Sequence, residues 1–188
     1  MTDRMPDGSG GDTDYTRIGN VYTGFRNPDP RIAAVLATAL GTAGTVLNVG
    51  AGAGSYEPAD RDVTAVEPSA SMRARRPAGH PAIDAMAERL PFADNAFEAT
   101  MATFTVHQWK DLRAGLAEMR RVTSGAVAIL TCDPLRLHRF WLREYAPEVL
   151  DTEARRYPAI AAIAEGLGQP VEALPVAIPI DCTDGFTE

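Results

Sequence analysis

The sequence has 188 residues, of which 45% are apolar, and a formal net charge of −7. This length suits one α/β domain with a sizeable core. No apolar run approaches the roughly 20 residues that a membrane helix needs. The acidic balance argues against non-specific nucleic-acid binding. We therefore expect neither a membrane nor a nucleic acid as partner.

Three further features bear on location and ligands. Residues 1–14 are polar and glycine-rich and lack the apolar segment of a signal peptide, which predicts a disordered N-terminal tail. Cys132 and Cys182 lie far apart and have no metal-ligand spacing, so we expect no metal site and a cytoplasmic location. A basic cluster, Arg73 to Arg76, is interpreted as a solvated helix face rather than a phosphate site.

The first elements surround a glycine-rich turn. Asp29 is placed to cap a helix over residues 31–40 that ends at Gly41. A buried strand over residues 46–49 then leads into a turn with glycine at every second position: Gly50, Gly52 and Gly54. Such a turn permits unusual backbone angles and lets a ligand approach the main chain. Residues 57–60 predict that the helix that would normally follow is very short or is replaced by a loop.

A second strand over residues 63–66 ends at Glu67, seventeen residues after Gly50. An acid at this place can accept both hydroxyls of a ribose. The remaining pattern alternates strands with helices, which predicts a parallel, doubly wound sheet. Its elements are a helix over 68–76, strands over 81–85 and 98–104, a helix over 111–122, and a fifth strand over 126–130 after a turn at Ser124-Gly125. Beyond residue 133 we expect a helical stretch over 136–145, a helix over 159–166 and a sixth strand over 171–180.

The string from Ala87 to Phe97 reads A-E-x-L-P-F-x-D-x-x-F. Together with the glycine turn and Glu67, it resembles class I S-adenosylmethionine-dependent methyltransferases of the methyltransferase-11 or UbiE-like type. The segments His107-Gln108-Trp109 and Glu118-x-x-Arg121-Val122 also resemble this family, and the likeness covers residues 15–133. It implies a Rossmann-like fold, with a doubly wound, mainly parallel sheet and flanking helices. The single domain over 15–188 would have an N-terminal cover (15–40), a cofactor core (41–133), and a helical insertion with the sixth strand (134–188).

The resemblance also implies which residues meet S-adenosylmethionine. The glycine turn would pass under the methionine part, Glu67 would hold the ribose, and Arg26 would pair with the carboxylate. Thr103 and Phe104 would line the sulfonium side. The complete set of cofactor-binding residues expected from the resemblance is Tyr22, Arg26, Asn48, Gly50, Ala51, Gly52, Gly54, Glu67, Pro68, Met72, Met86, Ala87, Glu88, Thr103 and Phe104.

Two positions and the C-terminal end depart from the family pattern. The family often has an acid where Asn48 stands and an aspartate where Met86 stands; Asp84, two residues before Met86, is a candidate substitute for the latter. The family fold usually ends with a seventh, antiparallel strand, whereas this sequence ends just after the predicted sixth. We therefore expect a sheet that lacks its last strand, in either a shortened chain or a naturally short form.

Methyl transfer from a sulfonium mainly requires alignment of the reactants and exclusion of water. His107 is the candidate for a catalytic base, with a wall or capping residue as the more common role of such a histidine. The candidate substrate-binding residues are Tyr15, His107, Trp109 and Phe140, although such aromatic residues are more often simply packed. Glu88 is interpreted chiefly as support of its turn.

The function implied is methyl transfer from S-adenosylmethionine, giving S-adenosylhomocysteine, to an oxygen, nitrogen or carbon nucleophile of a small molecule by in-line displacement. Two alternatives stay open. One is a non-catalytic protein that binds S-adenosylmethionine. The other is an NAD-dependent oxidoreductase, which is disfavoured because Ser55 stands where its fingerprint needs a glycine. The chain is expected to be a monomer or a homodimer.

Overall fold

The computed structural model describes residues 4–5, 27–178 and 181–184. Most of the predicted N-terminal tail, and residues 15–26 of the predicted cover over 15–40, lie outside these ranges. Within them, five strands form one parallel sheet in the order β3-β2-β1-β4-β5. The strands are β1 (Thr45–Val49), β2 (Asp62–Val66), β3 (Ala82–Ile83), β4 (Phe97–Thr103) and β5 (Thr123–Leu130).

The strand order reverses between β1 and β4, so the chain turns to opposite sides of β1 at the carboxyl edge of the sheet. In open α/β sheets, ligands bind in the crevice at this switch point. The described helices are α1 (Pro30–Ala39), α2 (Ala70–Arg73), α3 (Leu112–Val122), α4 (Pro147–Arg156) and α5 (Ile160–Leu167). Three 3-10 turns span Val106–Gln108, Leu137–Arg139 and Trp141–Glu144.

Helices cover both faces of the sheet. Alternate residues of β1 point to opposite faces and pack in different core clusters. Val46 packs in one core cluster with Ile32 and Leu36 of α1. Leu47 packs in the other cluster, with residues of α3 and α5 that include Leu116. The prediction of a doubly wound parallel sheet is confirmed.

Local sequence explains where the two best-formed helices begin. Asp29 caps α1 as predicted, since its carboxylate accepts a hydrogen bond from Arg31 N, and Pro30 suits the first turn. Asp111 caps α3 in the same way through Ala114 N, 3.0 Å away. The helix predicted over residues 68–76 is shorter than expected: only Ala70–Arg73 is α-helical, after a cap by Ser69.

Two predictions about strands are wrong. Residues 171–178 form no strand, and Val176 and Ile178 instead pack loosely against the core cluster that contains α1. Ser124 and Gly125 do not form a turn, because α3 leads directly into β5 at Thr123. The register of β4 and β5 shifts between Phe97 and Ala99. At this shift, a Cβ on Gly125 would collide with the carbonyl oxygen of Glu98.

The region after residue 133 is helical, but its helices differ from those expected. The stretch 136–145 forms two 3-10 turns rather than a helix, and α4 (Pro147–Arg156) was not predicted. The helix predicted over 159–166 is found as α5, which crosses α3 closely: a Cβ on Gly166 would lie 2.5 Å from Leu116 Cδ1. Within the described ranges, no helix combines the length and apolar character needed to cross a membrane.

Candidate active site

The glycine turn lies at the carboxyl edge of the sheet, where β1, β2 and β4 end. Gly50, Gly52 and Gly54 all have positive φ, at 67°, 52° and 100°. A Cβ on Gly50 would collide with the side chain of Thr105, which follows β4. The turn is tied to the end of β2, because Ala51 N donates to Val66 O at 3.0 Å. The predicted need for glycine at these positions therefore has a structural cause.

Glu67 lies against this turn. Its residue is 6% exposed, and its Oε2 accepts a hydrogen bond from Gly52 N at 2.8 Å. Its Oε1 accepts from Ser69 N, also at 2.8 Å. Both oxygens of the Glu67 carboxylate are therefore held at the glycine turn and the start of α2, where a carboxylate can accept hydrogen bonds from a ligand's hydroxyl groups. The structure thus brings Glu67 and the glycine turn together, as the spacing predicted.

A buried ion pair supports the turn from the side of Asn48. Asn48 is fully buried, and its Nδ2 donates to Glu57 Oε1 at 3.0 Å. Glu57 in turn accepts hydrogen bonds from Arg76 Nη2 to both of its oxygens, at 2.9 and 2.8 Å. The Arg76 side chain is only 3% exposed. The interpretation of residues 73–76 as a solvated helix face is therefore wrong for Arg76.

Met72 and the segment 84–88 border the turn on the side of β2 and β3. Met72 is buried, and its Cε would lie 3.2 Å from a Cβ on Gly52. Pro68 and Met86 are half-buried, and Ala87 is buried.

The two carboxylates of the segment 84–88 are engaged in structural contacts. Glu88 Oε1 accepts from Asp111 N at 3.2 Å, which supports its expected structural role. Asp84 forms ion pairs with Arg4 and Arg73, at 2.7 and 3.2 Å. Its carboxylate is thus engaged in contacts other than the one suggested for it, as a substitute for the family's aspartate at position 86.

The chain leaves β4 through an unusual backbone. Thr103 ends the strand, and Phe104 follows with φ +50°, a conformation that costs a non-glycine residue roughly 1–3 kcal/mol and often marks functional sites. Its amide donates to Leu130 O at 2.8 Å. His107 lies in the next 3-10 turn, with its ring centroid 4.3 Å from that of Tyr157 beyond α4.

The other expected aromatic residues have different surroundings. Trp109 packs on α3: its Cε3 would lie 2.5 Å from a Cβ on Gly115, which explains that glycine. Phe140 is half-buried beside Trp141, with ring centroids 5.6 Å apart. Tyr15, Tyr22 and Arg26 lie outside the described residues.

Sequence reasoning missed several residues around the turn, namely Tyr56, Thr105, Tyr157 and the pair of Glu57 and Arg76. Tyr56 has φ +65° although it is not glycine, and its hydroxyl group contacts Asp184 from the far end of the chain. Of these residues, only Glu57 could have been identified from the sequence. It is an acid close to the neutral Asn48, and it could therefore replace the acid that the family often has on β1.

Comparisons with known proteins agree with this geometry. Residues 47–129 match a family model described as a methyltransferase domain. A demethylmenaquinone methyltransferase of Mycolicibacterium gilvum is 33% identical over 99 residues, which cover 53% of this chain and 41% of that protein. The chain spans between about a quarter and two fifths of the length of the curated relatives it matches (23% to 41%).

Solved structures are similar over more of the chain. A putative methyltransferase from an antibiotic biosynthesis pathway of Anabaena variabilis superposes with a TM-score of 0.75 and 27% identity, covering 85% of this chain and 70% of that one. The plantazolicin methyltransferase BpumL, solved with S-adenosylhomocysteine, shares the fold at 12% identity, with a TM-score of 0.63 and coverage of 83% and 69%. Residues 47–129 thus match a methyltransferase domain, and the strand order and the acid beside the glycine turn agree with the fold of class I S-adenosylmethionine-dependent methyltransferases.

Proposed function

We propose that this chain binds S-adenosylmethionine and transfers its methyl group to an oxygen, nitrogen or carbon nucleophile of a small molecule. The observation that carries the proposal is the 2.8 Å hydrogen bond between Gly52 N and Glu67 Oε2. It joins a buried carboxylate to a backbone turn whose three glycines all have positive φ. This combination fits a ribose linked to an amino-acid group.

In this assignment, Glu67 accepts the ribose hydroxyl groups, and the backbone from Gly50 to Gly54 carries the methionine part. Met72, Met86 and Ala87 border the adenine, and Thr103 and Phe104 line the sulfonium side. The residues present fit the cofactor, because the apolar side chains lie beside β2 and β3 and the polar turn lies after β1. When bound, S-adenosylmethionine supplies an activated methyl group on a positively charged sulfur. The protein then has to align the acceptor with that methyl group and exclude water.

His107 is proposed as the base for an acceptor that must lose a proton. Its ring packs in a tilted arrangement against that of Tyr157. It follows β4, on the side of the sheet where the methyl group would be presented. An imidazole ordinarily titrates near neutral pH and can take a proton from a hydroxyl or amine group. Phe140, Trp109 and the undescribed Tyr15 stay proposed contacts of the acceptor.

The named relatives provide a starting point for choosing the acceptors to be tested. Two of them, from Mycolicibacterium gilvum and Corynebacterium urealyticum, are named demethylmenaquinone methyltransferases. An acceptor panel should therefore contain a demethylated quinol, a phenol and an amine, which offer carbon, oxygen and nitrogen nucleophiles. Cofactor binding without turnover on any of them would favour the non-catalytic alternative.

We further propose a cytoplasmic location and a monomeric or homodimeric state. Cys132 and Cys182 are the two cysteines of the chain and form no disulfide with each other, which fits a reducing compartment. Light scattering of the purified chain would measure the oligomeric state.

The experiment that tests the cofactor site is titration calorimetry of Glu67→Ala with S-adenosylhomocysteine. Because two hydrogen bonds to a charged group are lost, at about 1.5–3 kcal/mol each, we expect affinity to fall by about 100-fold or more. Glu98→Ala is the matched control, since Glu98 bonds to Gly44 N near the opposite edge of the sheet. Unchanged affinity in Glu67→Ala would overturn the ribose assignment.

A further inference from the structure

Tyr56 connects the glycine turn to the last described residues of the chain. It is 7% exposed, and its hydroxyl group donates to Asp184 Oδ2 at 2.6 Å. The same hydroxyl oxygen accepts a hydrogen bond from Asp29 N at 3.2 Å. Its φ of +65° is a conformation that a non-glycine residue keeps only where its surroundings hold it. Tyr56 is therefore fixed from two sides in a strained backbone.

Residues 181–184, which we call the C-terminal segment, are attached at several points to the start of α1. Asn27 N donates to Thr183 O at 3.2 Å, and Thr183 N donates to Asp29 Oδ2 at 3.3 Å. Cys182 is 5% exposed and belongs to the same core cluster as Tyr56. The C-terminal segment thus packs directly over the residue that ends the glycine turn.

Tyr56 is joined to the ligand-facing part of the turn by short connections. Tyr56 is two residues from Gly54, whose amide donates to Ala51 O at 2.9 Å. Burial and the nearby Asp184 carboxylate raise the pKa of the Tyr56 phenol, so it stays protonated and remains a donor across the neutral range.

We propose that Tyr56 is a positioning residue of the cofactor turn and that Asp184 anchors it, so that docking of the C-terminal segment and cofactor binding stabilise each other. This inference rests on the proposed function, because it takes the glycine turn as the cofactor site. Coupling between two binding events is reciprocal. A ligand bound at the turn must therefore stabilise the docked C-terminal segment. Loss of the contact between the segment and Tyr56 must in turn lower the affinity for the ligand.

Cys182 reports the docking directly. A thiol reagent reaches this buried side chain only when the C-terminal segment opens, and mass spectrometry of peptides separates its labelling from that of Cys132. If only the docked form binds ligand, S-adenosylhomocysteine at 100 times its Kd lowers the open population by about 100-fold. We expect Cys182 labelling in the wild-type chain to slow at least tenfold, with Cys132 as internal reference.

Two variants remove the contact in different ways. Tyr56→Phe deletes the hydroxyl group and keeps the ring, and Asp184→Asn keeps the shape and removes the charge. In each, we expect about tenfold faster Cys182 labelling without ligand. We also expect about fivefold weaker binding of S-adenosylhomocysteine, because the turn of the docked chain is then held less firmly in its binding conformation. Tyr145→Phe is the control, because Tyr145 is 76% exposed and should change neither value.

The outcomes separate this inference from the proposed function. Failure of the wild-type chain to bind S-adenosylhomocysteine refutes the proposed function and the coupling with it, and the ligand-free labelling rates then test the contact alone. Binding that leaves the Cys182 rate unchanged refutes the coupling while the function stands. Labelling rates and affinities equal to those of the wild type in both Tyr56→Phe and Asp184→Asn would overturn the inference. A circular dichroism spectrum of each variant serves as the control that it is folded.

Discussion

At the scale of single residues, Asn48, Glu57 and Arg76 form a connected buried group beside the glycine turn. Glu57 holds the amide of Asn48 and the guanidinium of Arg76 at the same time. The Asn48 amide must present its nitrogen to Glu57, since two acceptor oxygens would repel each other. A negative charge is therefore provided next to β1, although it comes from the turn and not from the strand.

This arrangement predicts that the carboxylate can be moved from position 57 to position 48 with little loss of stability. Asn48→Asp alone places a second carboxylate against Glu57, and Glu57→Gln alone leaves the buried Arg76 without its counter-charge. We expect each to lower the free energy of unfolding, the second by about 3–5 kcal/mol as for other broken buried ion pairs. The double variant Asn48→Asp/Glu57→Gln should recover most of this loss in urea unfolding, with Glu98→Gln as control. Additive losses in the double variant would show that the charges do not act together.

The conformations of the glycines allow a second matched comparison. Gly50 and Gly41 have nearly equal φ, at +67° and +62°, but a Cβ on Gly41 would meet nothing within 4 Å. Gly41→Ala should cost only the left-handed backbone strain, roughly 1–2 kcal/mol. Gly50→Ala adds a collision with Thr105, so we expect a clearly larger loss of stability in urea unfolding. Equal losses at the two positions would mean that the turn can move away from Thr105.

Single residues also show what the sequence could and could not reveal. Glu67 was predictable, because an acid directly after the second strand has a defined place beside the turn. Arg76 and Tyr56 were not, since their partners are 19 and 128 residues away and depend on how helices and chain ends pack. Charge patterns along the chain report neighbours in sequence, and these contacts are neighbours only in the fold.

At the scale of elements, α3 fixes the loop between β3 and β4. Glu118 Oε2 accepts from Leu90 N at 2.8 Å, and Arg121 donates to Leu90 O and Phe92 O at 3.1 and 2.8 Å. Arg121 also pairs with Glu118 at 2.6 Å and with Asp94 at 2.9 Å. The Leu-Pro-Phe string and the Glu-x-x-Arg pair that resemble the family are therefore two halves of one structural contact.

The Glu118 contact predicts a pH dependence of stability. The hydrogen bond from Arg121 is the main cause that holds the pKa of Glu118 below its ordinary value. A lowered pKa in the folded chain gives stability that is complete above the unfolded pKa and is lost as pH falls through the folded one. Glu118→Gln should lower the free energy of unfolding by about 1–2 kcal/mol at pH 7. The difference from wild type should shrink below about pH 4.5, and a difference that stays constant to pH 3 would contradict this account.

The elements themselves were predicted where local signals and burial agree. The strands of the core and α3 follow from apolar runs and a capping aspartate, and they were found within a few residues. The sixth strand failed because Pro175 lies in the middle of residues 171–178, where it cannot donate a backbone hydrogen bond to a ladder. Helix α4 was overlooked because its charged surface leaves only Leu150 buried, so the apolar pattern is weak.

At the scale of the whole molecule, the two faces of the sheet hold different segments of the site. The face covered by α3 and α5 holds the loop of residues 90–94, and the face covered by α1 holds Tyr56 and the C-terminal segment. Both converge on the carboxyl edge, where the glycine turn, Glu67 and Phe104 lie. A ligand at this edge contacts segments that are stabilised from both faces, so its binding should depend on the intact fold.

The central claim is that this edge binds S-adenosylmethionine, and calorimetric titration of the purified chain tests it most directly. S-adenosylmethionine, S-adenosylhomocysteine and NAD would be titrated in parallel under one set of conditions. The account predicts saturable binding of both sulfur compounds with one site per chain, and no binding of NAD. Binding of NAD alone, or of none of the three, would contradict it.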